Sequence, residues 1–307
     1  MTSEAGGRRW AWAFIRISVA VLALGYTLSL APRSELVAAL ARLDVFHALG
    51  GVAFLLASVP IGGLRWRWSL RAFGADALPT LGVLTRLHLI GLFFNTFVPG
   101  GVGGDALRAG VTQRAFSNPA AAWVAVVAER LLGLAALMTY ATGIVALTGP
   151  LKGVPSWLFP ALTLGLLLGT LLMPVVLGLL RTRLGLGRLV VAPLLGVYGI
   201  SIAAHASIAL AGATVARVIA PSASWVDSLI VVPLAQVAVF FPATVGGLGV
   251  REAAFVELYT RRGVDPSEAA AIAFGYLAIY FFAAGLGGVA HMIAPVTLEP
   301  RTAPADP

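Results

Sequence analysis

Two stretches of this chain break a long apolar run at a proline and follow the break with glycines and an arginine. The first is Phe93-Phe94-Asn95-Thr96-Phe97-Val98-Pro99-Gly100-Gly101-Val102-Gly103-Gly104-Asp105-Ala106-Leu107-Arg108. The second is Phe240-Phe241-Pro242-Ala243-Thr244-Val245-Gly246-Gly247-Leu248-Gly249-Val250-Arg251. Advancing the first by 143 positions puts Pro99 on Pro242, Val102 on Val245, Gly103 on Gly246, Gly104 on Gly247 and Arg108 on Arg251. The same offset carries the first four apolar segments onto the last four. Repeated halves with breaks in matching places are the pattern of broken helices meeting at a polar site inside a membrane.

The rest of the composition agrees. Of 307 residues, 59% are hydrophobic and 11% charged, where a soluble domain carries roughly 25% charged residues. Eight apolar segments follow one another: 10–30, 46–64, 80–98, 119–148, 157–180, 189–216, 228–241 and 269–293. None alternates with period 2, so helices and not a barrel are expected to span the bilayer. The expected fold is an all-α polytopic membrane bundle, one domain over 1–307. Its repeats are expected near 10–150 and 151–294, with a Pro-rich tail at 295–307. Segment 10–30 is longer than the apolar core of a signal peptide and is expected to stay in the mature protein. Residues 31–45 read as a polar connection. Arg65-Trp66-Arg67-Trp68 and Arg71 read as an interfacial rim.

Basic residues in the loops bear on how many segments cross. If the third and seventh segments are re-entrant, each half crosses three times and the second half is inverted. With the N-terminus inside, the inner loops then hold eleven cations: Arg8, Arg9, Arg65, Arg67, Arg71, Arg108, Arg114, Arg181, Arg183, Arg188 and Arg301. The outer loops hold seven: Arg33, Arg42, Lys152, Arg217, Arg251, Arg261 and Arg262. Eight full crossings give eight inside and ten outside. The positive-inside rule therefore favours the re-entrant arrangement, with both termini cytoplasmic in the cell membrane.

The candidate site residues are the charges near the breaks. Glu129 and Arg130 lie in the middle of a 30-residue apolar stretch. Adjacent helical residues point about 100° apart, so each needs a partner on another segment. They mark either a functional site, the default for intramembrane charge, or an ion-pair network that locks the bundle. Asp105 and Arg108 are spaced to share one helical face, as a headgroup site or as a surface pair with a helix cap. Arg251 with Glu252 takes the matching place in the second half. Pro99, Gly100, Gly101, Gly103, Gly104, Pro242, Gly246, Gly247 and Gly249 are the expected hinge and backbone positions, where free N–H groups and bare glycine let an anion approach. Asn95, Thr96 and Thr244 are placed to bond freed backbone groups. Gln236 reads as cavity lining or helix glue, and His205 as a hydrogen-bonded packing residue. There is no cysteine, the four histidines are scattered, and no Gly-Lys-Ser/Thr follows the glycines. No cofactor, metal, nucleic-acid partner or enzymatic activity is expected.

Taken together, Phe94-Asn95, the Pro99–Arg108 run, Ala128-Glu129-Arg130-Leu131 and Pro242 through Glu252 resemble the flippase-like family. This is the membrane region of lysylphosphatidylglycerol synthases, and the resemblance covers about residues 10–294. It implies a translocator that moves an anionic, aminoacylated or polyprenyl-linked lipid between leaflets, and it does not carry over aminoacyl transfer. By motif match it selects Asp105, Arg108, Glu129, Arg130, Arg251 and Glu252 as the residues that bind substrate. The alternative is a non-transporting scaffold that presents a lipid-linked substrate to an envelope enzyme. The partners implied are membrane lipids and, in the alternative, envelope biosynthesis enzymes.

Overall fold

The computed structural model describes residues 18–30, 32–98, 101–184, 186–187, 189–237 and 246–296. Among them the regular structure is helical: α1 (Ser18–Ser29), α2 (Arg33–Leu40), α3 (Val45–Ala72), α4 (Leu81–Phe97), α5 (Gly103–Thr112), α6 (Ala120–Thr148), α7 (Leu158–Leu184), α8 (Ala192–Ile219), α9 (Trp225–Gln236), α10 (Val250–Arg261) and α11 (Pro266–Ile293). A short 3-10 turn, Gln113–Ala115, follows α5. The chain is a multi-pass, all-α membrane bundle. Helices α3, α6, α7, α8 and α11 are each long and apolar enough to span. At 1.5 Å per residue the 28 residues of α3 reach about 42 Å, against a hydrocarbon core of about 30 Å. Helix α4 has 17 residues and α9 has 12, so they reach only about 25 and 18 Å.

Local chemistry sets the helix starts. Asp44 accepts from the N–H groups of Phe46 and His47 to cap α3. Ser224 and Asp227 cap α9 reciprocally. Asp265 caps α11, and the hydrogen bonds from Ser267 hold its carboxyl below the usual carboxylate range. Small residues let helices approach. A Cβ on Gly212 would lie 2.3 Å from Val232 of α9, and one on Gly63 would lie 2.7 Å from the backbone of Thr85 in α4.

Hydrogen bonds between loops sort the helix ends into two faces. On one, Asp76 N–H donates to Ala115 O at 2.8 Å, Ser117 Oγ donates to Asp76, and Val190 N–H donates to Ala72 O. The end of α3, the start of α4, the end of α5 and the start of α8 therefore sit together. On the opposite face, Arg42 bonds Glu268 and Ile219 O, Ser267 bonds Glu35, and Arg261 and Arg262 reach Lys152 O and Thr148. Helix α5 thus doubles back along α4, and α10 along α9, where Tyr259 Oη donates to Ser228 Oγ at 2.9 Å. The two hairpins enter from opposite faces. Helices α3 and α8, which form the most extensive contact of the bundle, run antiparallel.

Two expectations are corrected. Residues 31–45 contain helix α2, which buries Leu36 and Ala39 and packs on α11. The basic aromatic rim lies inside α3, which runs on to Ala72 and buries Trp66 completely. Pro99, Gly100, Pro242 and Thr244 lie outside the described residues.

Candidate functional site

The break after α4 leaves Val98 extended and Gly101 in the left-handed region at φ +63° before α5 begins. Gly103 and Gly104 prove to be the first turn of α5 rather than hinge positions. They are bare because α5 crosses α4 there, and a Cβ on Gly104 would lie 2.0 Å from Gly91 O. Asn95 Oδ1 accepts the Gly104 N–H at 2.8 Å, which satisfies one of the orphan donors of the helix start. That crossing aims Asp105 and Arg108 at α6 and α3.

What they meet is a ladder of alternating charge. Arg65 of α3 donates from Nε to Glu129 Oε1 at 2.6 Å. Arg108 donates from Nη1 to Glu129 Oε2 at 2.9 Å and from Nη2 to Asp105. Arg130 also bonds Asp105, and its Nη2 donates to Gly101 O at 3.1 Å. Glu129 is 1% exposed and Arg108 and Asp105 5% each, so the ladder is anchored in the bundle. The indole of Trp66 lies 4.9 Å from the Arg108 guanidinium and supports it from α3. Charge-assisted bonds of this kind are the strong ones.

The ladder lines a cavity of about 160 Å³, with His88, Asn95, Gly133 and His205 in the remaining wall. Three guanidiniums against two carboxylates leave the lining at a formal net charge of +1. Arg65 and Arg130 keep 18% and 29% of their side chains exposed, so these two arginines are in reach of an occupant. Among the described residues no cluster of His, Asp and Glu fits a metal ion.

Arg251 and Glu252 belong to a different place. Arg251 opens α10, is 1% exposed, and bonds Glu252 Oε1 from Nη2 at 2.8 Å. Its guanidinium lies 4.5 Å from the ring centroid of Tyr280 and 5.5 Å from that of Tyr276. Glu252 turns its other oxygen to the Gly249 N–H at 2.6 Å. Neither residue lines the charged cavity. Gly246, Gly247 and Gly249 have φ of +59°, +81° and +82°. The hairpin tips touch each other, since a Cβ on Gly101 would lie 3.3 Å from Gly246.

The expectation of one site shared by both arginines is therefore corrected, and the sequence supplies the reason. Under the 143-residue offset Asp105 corresponds to Leu248, Glu129 to Ile272, Arg130 to Ala273, Arg65 to Ile208 and Trp66 to Ala209. The second half keeps the arginine but not the counterions. Arg251 pairs instead with its own neighbour, at a position where the first half has Ala109.

Arg65, His88 and His205 are the ionisable lining residues that the motifs did not select. Gln236 donates to Tyr276 Oη at 2.7 Å and joins α9 to α11. His205 bonds Gly133 O, as expected of a packing residue, yet its ring also faces the cavity.

A family model described as lysylphosphatidylglycerol synthase TM region matches residues 13–288. No curated protein sequence matches the chain.

Proposed function

Because the chain belongs to the lysylphosphatidylglycerol synthase transmembrane-region family, we propose that it carries a phospholipid between leaflets by holding the headgroup in the Arg65–Glu129–Arg108–Asp105–Arg130 cavity. The observation that carries this reading is a net-positive, partly exposed polar cavity inside a bundle whose outer surface is apolar. Buried intramembrane charge is costly and marks substrate pathways. The forked donors of Arg65 and Arg130 match the geometry of a phosphate diester. The substrate is an anionic or aminoacylated phospholipid, or a polyprenyl-linked lipid, moved without chemical change in the cell membrane. Both termini are cytoplasmic in this reading.

The fold supplies the means. The cavity sits in the half of the bundle toward the face that holds residues 72–78 and 115–119. In this reading the close approach of Gly101 and Gly246 closes it from the opposite face. Rocking one half against the other would part Gly101 from Gly246 and expose the headgroup to the second leaflet.

Reconstitution into vesicles with a fluorescent phosphatidylglycerol tests this through the rate at which outer-leaflet label is lost and replenished. The protein is expected to accelerate exchange. Arg65→Gln with Arg130→Gln is expected to slow it about tenfold or more, since a hydrogen bond to a charged group contributes about 1.5–3 kcal/mol. Exchange no faster than in protein-free vesicles would reject transport and leave the scaffold reading.

A further inference from the structure

The charge ladder leaves two titratable rings on the cavity wall unused, His88 of α4 and His205 of α8. His205 is 8% exposed, and its Nε2 lies 3.0 Å from Gly133 O. A carbonyl oxygen only accepts, so Nε2 carries the proton and donates. Its Nδ1 is buried without a hydrogen-bond partner, and so is Nδ1 of His88. Buried polar atoms are nearly always satisfied. Both unpartnered nitrogens belong to rings that line one cavity.

The charged groups facing these rings are Arg65 from α3, Asp105 and Arg108 from α5, and Glu129 and Arg130 from α6. From α9 and α11 no charged side chain enters the lining: Tyr276 is bonded to Gln236, and the His291 ring packs on Phe94. Both carboxylates are already bonded by two guanidiniums each. The lining already carries one more cation than anion, so a proton added to either ring calls for a further anion.

We infer that the cavity binds a proton on His88 or His205 together with an anionic phosphate headgroup, as a coupled pair. This rests on the headgroup reading above and adds what that reading leaves open, the second species that travels with the lipid. The proton comes from bulk solvent onto the Nδ1 lone pair. The resulting N–H donates to a phosphoryl oxygen, and no bond within the lipid changes. Linkage then fixes the sign: what the anion gains from the proton, the proton gains from the anion, so the anion binds more tightly as pH falls.

Calorimetry on the full chain in detergent tests this with two probes, dioctanoyl phosphatidylglycerol and sulfate, in two buffers of different ionisation enthalpy. At pH 6.5 net proton uptake on lipid binding is expected, read from the difference between the heats in the two buffers. Affinity is expected to rise at least about fivefold from pH 7.5 to pH 5.5. Substituting His88→Gln and His205→Gln keeps an amide donor for Gly133 O and is expected to abolish both effects. Equal proton uptake with sulfate assigns the coupling to anionic charge alone, and uptake with the lipid only assigns it to the headgroup. Lipid binding without uptake overturns the inference and spares the headgroup site, as does uptake that persists in the double variant. No lipid binding at either pH overturns the headgroup reading and the inference with it. Should the double variant not purify intact, the wild-type heats in the two buffers decide.

Discussion

One carboxylate, Glu129, serves two guanidiniums, and the energetics of the site turn on it. It is 1% exposed and lies within 3.2 Å of Arg65 and Arg108. Removing one partner of a buried ion pair costs about 3–5 kcal/mol, because the charge left behind has lost both water and counterion. Glu129→Gln takes the carboxylate from Arg65 and leaves Arg108 only Asp105, whereas Arg65→Gln leaves Glu129 still held by Arg108. The expected result is a larger fall in the thermal midpoint in detergent for Glu129→Gln than for Arg65→Gln. Equal losses would mean that Glu129 is not the hub. Four members of this ladder were legible in the sequence, because a charge in an apolar run or beside a break stands out. Arg65 was not, because Arg-Trp-Arg-Trp after an apolar run has the composition of an interface. The legible clue was the helical spacing of Gly62, Trp66 and Ser69, which share a buried face. His88 stayed hidden because a single histidine among apolar residues carries no spacing to read.

The hairpin elements depend on backbones that nearly touch. Helix α5 lies on α4 with Gly104 over Gly91, and any side chain at 104 meets a carbonyl oxygen at 2.0 Å. Gly110, on the same helix, has open space where a Cβ would go. Gly104→Val is expected to split α5 from α4, pull Arg108 off Glu129 and leave little folded protein by fluorescence-detected gel filtration. Gly110→Ala is expected to be neutral or to stabilise by up to about 1 kcal/mol, the helix-propensity difference. If both variants behave alike, close approach is not what the glycines provide. The breaks themselves were plain from proline and glycine, but the division of labour among the glycines was not. Gly101 turns the chain with a positive φ while Gly103 and Gly104 make room, and only the crossing of two helices distinguishes those roles. Helix α2 was hidden for a related reason. Its mixed composition reads as a loop, and it is held by long-range partners, Ser267 on Glu35 and Glu268 on Arg42, that no local pattern contains.

At the scale of the whole molecule, the two halves repeat a fold and divide the chemistry. Each hairpin packs on the last long helix of the other half, α4 on α11 and α9 on α6. Only the first half keeps the counterions that make a charged cavity. Arg108 and Arg251 are buried and Arg65 is held by Glu129 inside α3, so none of the three counts as a loop cation. Without them the re-entrant arrangement has nine inside and six outside, while eight crossings give seven inside and eight outside. The preference survives the correction, and it now agrees with the loop hydrogen bonds that place the two hairpins on opposite faces. The chain has no native cysteine, so single replacements report cleanly. Arg183→Cys sits at the end of α7, and Lys152→Cys sits in the turn between α6 and α7. In right-side-out cells a membrane-impermeant maleimide is expected to label residue 152 and to reach residue 183 only after permeabilisation. Labelling of 183 from outside with 152 protected would invert the whole bundle and put the charged cavity in the outer leaflet. Labelling of both from outside would mean that α7 does not cross, which the antiparallel halves cannot accommodate.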